Sequence, residues 1–226
     1  MFINMKLLKV LSFLFLLQVP ETWQQKAPAK ANVPTIINEL EEAMQSEKII
    51  PDLLNSIPKD IVKVQYLPGT VVHLGNKLSP AKVRESPRKV YWKTLPEKLY
   101  TIILLDIDYP SRLIPNYRSF LNWLVINIPG TDIYKGDIRA KYVGALPPKN
   151  TDFHRMVFLI LEQNTKINPK GDVISERSFQ GRVSFKLEDF IKNNNLISTP
   201  VAGNFFITKY DNYVPILQGQ IGLDRR

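Results

Sequence analysis

Two nearly continuous apolar runs, Tyr100 to Leu105 (YTIILL) and Met156 to Leu161 (MVFLIL), constrain this chain more than any other feature. Each has the length of one strand, and neither alternates apolar with polar residues as a half-wet strand does. Both therefore predict strands covered on both faces. A polar cluster abuts each run: Asp106 and Asp108 follow the first, and His154 and Arg155 precede the second. If the two strands are antiparallel neighbours, the clusters meet at one end of a sheet and place carboxylates beside an imidazole.

The flanking segments read as further strands with helices near the ends. Ile36, Ile37, Leu40 and Met44 recur at helical spacing behind a possible cap at Thr35, and Lys48-Ile-Ile-Pro51 ends that helix. Ile61 to Tyr66 alternates, Pro68-Gly69 turns, and Val71 to Leu74 completes a hairpin. Val90 to Thr94, Trp123 to Ile128 and Asn204 to Tyr210 are the other predicted strands. Leu78 to Pro87, Lys135 to Lys149 and Asn164 to Gln180 read as connections. Ser184 is placed to cap a short helix over FKLEDFIKNNN, and periodicity leaves the tail from Val214 open between helix and loop. The sum is a mainly β sandwich-like domain of antiparallel sheets with a few peripheral helices.

Composition excludes several chemistries. The 226-residue chain has no cysteine, so disulfides, thiol nucleophiles and Cys-ligated metals are ruled out. His73 has no metal-ligand spacing to His154, so no metal and no cofactor are expected. The net charge of +9 is spread thinly and forms no dense basic tract, so nucleic acid is not an expected partner. Ser111 lacks an elbow motif and a base, which argues against a Ser-His-Asp hydrolase. Trp92 and Trp123 read as core residues.

Met1 to about Gln25 has the build of a secretory leader. Lys6 and Lys9 precede an apolar stretch, Val10 to Val19, too short to span a bilayer, and small residues follow to Ala31. Residues 1–29 are accordingly expected to be a signal peptide and 30–226 one domain, secreted, without a transmembrane segment, and monomeric. A mitochondrial presequence is the alternative, although the segment is Arg-free and simply apolar.

Taken together, the order strand–DIDYPSR–NY–strand ending NIPG–YVGALPP–HR–strand, then PVAG and DNYVP, resembles the phosphatidylethanolamine-binding protein family, which includes Raf-kinase inhibitory proteins and plant flowering regulators. The resemblance implies two packed antiparallel sheets and a small non-hydrolytic pocket for an anion, such as a phospholipid headgroup phosphate. It also implies a cis bond before Pro110. The matched positions are Asp106, Asp108, Tyr117, Pro147 and His154 with Arg155. An imidazolium and a phenol can donate to phosphate, and a carboxylate holds the imidazole charged and oriented.

Departures from the family pattern cluster at the same pocket. Asn122 stands where a second histidine is usual, Leu146 where a glycine is, Met156 where a tyrosine is, and Gln218 at a lid tyrosine. Tyr109 replaces a smaller residue before Pro110. Each change removes a donor or fills space, so a smaller, more apolar or partly blocked cavity is expected, formed near Asp106, Asp108, Tyr117, Asn122, Pro147 and His154. The competing readings are that Asp106 and Asp108 cap turns, that Asp106 pairs with Arg112 or Arg155 in an internal salt bridge, and that His154 is a core histidine bonded to Asp106.

The expected function is non-catalytic binding of a small anionic, amphipathic or hydrophobic ligand. One alternative is a module that inhibits a protease or kinase as its partner protein, with a vestigial pocket. The other is a mitochondrial ribosome-associated protein of the same fold.

Overall fold

In the computed structural model, residues 33–222 are described; the expected leader, residues 1–29, lies outside them. The two apolar runs form β5 (Leu99–Asp106) and β8 (His154–Gln163), paired antiparallel in unbroken register from Leu99 opposite Gln163 to Asp106 opposite Met156. They are the centre of a six-stranded sheet. On the far side of β8 lies β9 (Ala202–Thr208), joined in parallel by the two-residue edge strand β3 (Asn76–Lys77). On the far side of β5 lie β6 (Phe120–Pro129) and then β7 (Asp137–Ala140). A second sheet of three strands holds β1 (Lys63–Gln65) between β2 (Val71–Val72) and β4 (Lys89–Tyr91).

Both faces of the central strands are covered, as their lack of alternation predicts, because successive residues point to opposite sides. Ile102 and Leu104 enter the core against the small sheet with Val64, Tyr66 and Trp92. Ile103 and Leu105 enter a second core with Leu40 and Met44 of helix α1 (Val33–Ser46) and Leu187 of a later helix. All four are fully buried, and each such side chain contributes roughly 1.5–3 kcal/mol.

Several expectations shift in detail. The segment Lys135 to Lys149 contains β7, an edge strand with one neighbour; three of its four residues keep some exposure, so no buried pattern marks it. Leu78 to Pro87 contains a short 3-10 helix, Pro80–Val83. The strand expected at Val90 to Thr94 ends at Tyr91. Helix α1 begins at Val33, ahead of Thr35, and is followed by a single turn α2 (Ile49–Asp52) broken at Ile50. Helix α3 (Leu187–Asn193) starts three residues after Ser184. Ser184 does not cap it: it sits in a turn with left-handed backbone (φ 57°) beside the entry to β6, where Ser184 N donates to Tyr117 O at 3.0 Å and Leu121 N to Arg182 O at 2.8 Å. The tail resolves as helix α4 (Val214–Gln220).

Candidate functional site

The polar clusters do meet. Because Asp106 lies opposite Met156, and side chains two apart share a face, His154 falls on the same face as Asp106. His154 Nδ1 is 2.8 Å from Asp106 Oδ2, and both side chains are sealed from solvent, at 0% and 1% exposure. Arg155 points the other way and pairs with Asp108: its Nε donates to Oδ2 at 2.8 Å and its Nη2 to Oδ1, a bidentate fork. Alternation turns His154 and Arg155 to opposite faces of β8, and because β5 ends at Asp106, Asp108 lies in the turn beyond it and meets Arg155 instead of His154.

The two pairs differ in purpose. Arg155 Nη1 also donates to Glu47 O at 2.6 Å and lies 2.9 Å from Asp52 Oδ2, which ties the α1–α2 corner to the sheet. Burial raises the Asp108 pKa, but the hydrogen bonds and charge of Arg155 outweigh that and hold it below the ordinary value. Arg112, a possible partner for Asp106, instead contacts Glu47 at 3.2 Å.

His154 is held at both ring nitrogens. Its Nε2 lies 3.0 Å from Thr151 Oγ1, and that hydroxyl donates its single proton to Pro148 O at 2.7 Å. Thr151 is therefore an acceptor toward the ring, as is the Asp106 carboxylate. In that arrangement both ring nitrogens face acceptors, which favours the doubly protonated imidazolium. Burial, the largest influence, pushes its pKa down. The charge and hydrogen bond of Asp106, with help from Asp108, more than reverse this and leave the pKa above the ordinary value.

Asn122 is equally occupied. Its Oδ1 accepts Asp106 N at 3.1 Å, and its Nδ2 donates to Val143 O and Gly144 O, both at 3.1 Å. It clips the 143–144 loop to β5, with no hydrogen left for a ligand. Gly144 is itself wedged: a Cβ there would sit 3.0 Å from Arg84 Cα and 3.1 Å from Val83 O.

Two of the replacements noted in the sequence, Tyr109 and Leu146, fall in one apolar plug. Tyr109 and Leu146 are buried together with Phe120, Val143 and Leu217 and Ile221 of the α4 region. The rings of Tyr109 and Phe120 are 5.1 Å apart, and Phe179 completes a trio at 6.0 and 5.8 Å. Pro147 is buried beside Leu146, Met156 is in the inter-sheet core, and Gln218 is half-buried on α4. The Tyr109–Pro110 bond is cis.

Tyr117 is not brought to the His154–Asp106 pair. It is half exposed on the outer side of the plug, where with Tyr109, Pro110, Phe179 and Val183 it lines a shallow depression of about 460 Å3. Two residues of this end carried no signal in the sequence. Thr151 is one. The other is Arg182, fully buried, whose guanidinium donates to the carbonyls of Ser178, Leu121, Asn122, Lys141 and Ser175. Burial pushes its pKa down to about 10, against the pull of Glu176. Among the described residues no three His, Asp or Glu side chains converge to hold a metal ion, and no helix is long and apolar enough to cross a membrane.

Comparison with known proteins gives concordant results. A family model described as phosphatidylethanolamine-binding protein matches residues 65–206. Putative odorant-binding protein A5 of Drosophila melanogaster is 33% identical over 174 residues, covering 77% of this chain and 82% of that protein. The solution structure of CG7054 is 37% identical, covering 77% of this chain and 98% of the other, with a TM-score of 0.63. The phosphatidylethanolamine-binding protein from Plasmodium vivax is 25% identical, covering 75% and 97%, also with a TM-score of 0.63.

Proposed function

The chain belongs to the phosphatidylethanolamine-binding protein family, and we propose that it is a non-catalytic binding protein whose ligand is a small, uncharged, largely apolar molecule rather than a phosphate. One observation carries this reading: both nitrogens of His154 are committed inside the protein and shut off from solvent. An anion entering from outside would find no free donor on His154 or Asn122, and would have to displace the plug of Tyr109, Leu146 and Phe120. What remains open is the aromatic depression outside the plug, floored by Tyr109 and Phe179 and edged by Tyr117. Aromatic walls with few polar groups suit a small apolar molecule. The name of the Drosophila relative, an odorant-binding protein, agrees with that chemistry. The reading takes residues 30–226 as one secreted domain behind a cleaved leader, supported by the basic start and short apolar stretch of residues 1–25.

The test is a titration with the neutral fluorescent probe N-phenyl-1-naphthylamine, with phosphoethanolamine as competitor. Saturable binding that Tyr117→Ala weakens at least fivefold, and that phosphoethanolamine does not displace, is expected. Micromolar phosphoethanolamine binding by the wild-type chain would overturn the reading.

A second reading has its own observation. On the loop from Ser111 to Arg118, Leu113 is 88% and Ile114 60% exposed, while Arg112 and Arg118 anchor the loop to Glu47 and Asp52. An anchored loop presenting two aliphatic side chains suits contact with a partner protein, as an inhibitory module requires.

A further inference from the structure

On the helix-covered side of the large sheet, a cleft of about 770 Å3 opens between β6, α3 and the 165–174 loop. It lies apart from the aromatic depression; of the residues lining each, Gly181 is shared. The segment from Phe179 to Val183 divides them, and the buried Arg182 holds that segment down through Leu121 O and Asn122 O.

The cleft is apolar below and basic above. Leu124 and Ile126 of β6 form the floor, and Phe185 and Phe190, with rings 5.6 Å apart, form one wall. Three cations line it, Arg139, Lys166 and Lys170, against the single carboxylate of Asp172. Among the described residues none of the three cations has an ion-pair partner.

The opposite wall is built by specific bonds. Asn127 grips Ile167 twice, Nδ2 to Ile167 O and Ile167 N to Oδ1, both at 2.8 Å, and Gln163 Nε2 holds Asn127 Oδ1 at 2.8 Å. Farther along, Arg139 Nη2 donates to Lys170 O at 2.8 Å and Gly171 O at 2.7 Å, while its Nε and Nη1 take no part in these bonds. The loop is thus preorganised, and its clamp leaves guanidinium donors to spare.

We propose that this cleft binds a single-chain amphipathic anion, an aliphatic carboxylate whose chain lies on Leu124, Ile126 and Phe190 and whose head group meets Arg139, Lys166 and Lys170. The volume falls within the range of small-molecule sites, roughly 300–1,000 Å3. The excess of unpaired cations selects a negative head, and the apolar floor selects a chain.

Calorimetric titration of the chain with monomeric decanoate and dodecanoate, and with 1-decanol as the uncharged control, tests this. Dodecanoate should bind about fifteenfold more tightly than decanoate, since each added CH2 contributes ~0.8 kcal/mol. Decanol should bind more weakly than decanoate. The paired exposed substitutions Lys166→Gln and Lys170→Gln, which touch no core contact, should weaken carboxylate binding three- to tenfold and leave N-phenyl-1-naphthylamine binding unchanged. Tyr117→Ala should do the reverse. No carboxylate binding, equal binding of decanol, or loss of carboxylate binding in Tyr117→Ala would each overturn the proposal. So would association with phosphatidylserine vesicles in the absence of binding to monomeric dodecanoate.

Discussion

His154 Nδ1 and Asp106 Oδ2 are 2.8 Å apart, 48 residues distant in sequence, and closed to solvent. With the Thr151 hydroxyl bonded to Pro148 O and facing the other ring nitrogen as an acceptor, the surroundings favour a charged His154 in this contact. Its pH dependence has a definite sign. The folded pKa of His154 lies above its ordinary value of 6.5, so the stability it contributes is complete below pH ~6.5 and is lost as pH rises through the folded pKa.

His154→Gln should therefore destabilise the protein by about 3 kcal/mol near pH 6, because it leaves the buried Asp106 carboxylate without its cation. The gap to wild type should narrow as pH is raised above neutrality. Urea melts of both proteins across pH 5.5 to 9 check this; a gap independent of pH would mean that His154 is neutral in the native state.

Asp108 runs in the opposite direction. Its folded pKa lies below the ordinary value of 3.8, so its contribution is present above that pH and fades as pH falls through the folded pKa. Asp108→Asn should cost about 3–5 kcal/mol at pH 7, since Arg155 remains buried with only Asp52 as a counter-charge. The cost should shrink in acid, as melts between pH 2.5 and 7 would record.

Thr151→Ala frees the Nε2 hydrogen of His154, and Leu146→Gly removes part of the plug. The double variant should bind phosphoethanolamine measurably where the wild type does not. The Leu146 truncation alone should cost about 2–5 kcal/mol through the cavity it leaves. Calorimetric titration and urea melts read the two effects separately, and a double variant that folds yet stays blind to phosphoethanolamine would move the block elsewhere.

Arg182→Lys keeps the charge but not the planar fork that reaches five carbonyls. A loss of about 3 kcal/mol is expected from hydrogen bonds of this charged kind. Hydrogen exchange should report faster exchange at the Leu121 amide, which bonds to Arg182 O, while β8 amides stay protected.

The strands that carry the site were legible because their information is local. Tyr100 to Leu105 and Met156 to Leu161 announce double-sided burial in their own composition, and the short motifs around them mark the family. The edge strand β7 was not legible, since a strand with one neighbour and mostly exposed residues has no buried pattern to display. The expectation that Tyr109 and Leu146 fill space was also readable, because side-chain volume travels with the residue.

By itself, then, the sequence determined the β-rich architecture and the family, and brought Asp106 and Asp108 to His154 and Arg155 only on the condition that the two central strands pair antiparallel, which the structure supplies. Only the tertiary structure decided who pairs with whom and what is left over: His154 with Asp106 and Thr151, Arg155 with Asp108 and Asp52, Asn122 with three backbone groups, and Tyr117 outside the plug. The physical reason is that availability for a ligand is set by the hydrogen-bonding capacity a side chain has left after folding. That remainder depends on partners up to about a hundred residues away, such as Glu47 O on Arg155, and no local pattern encodes it.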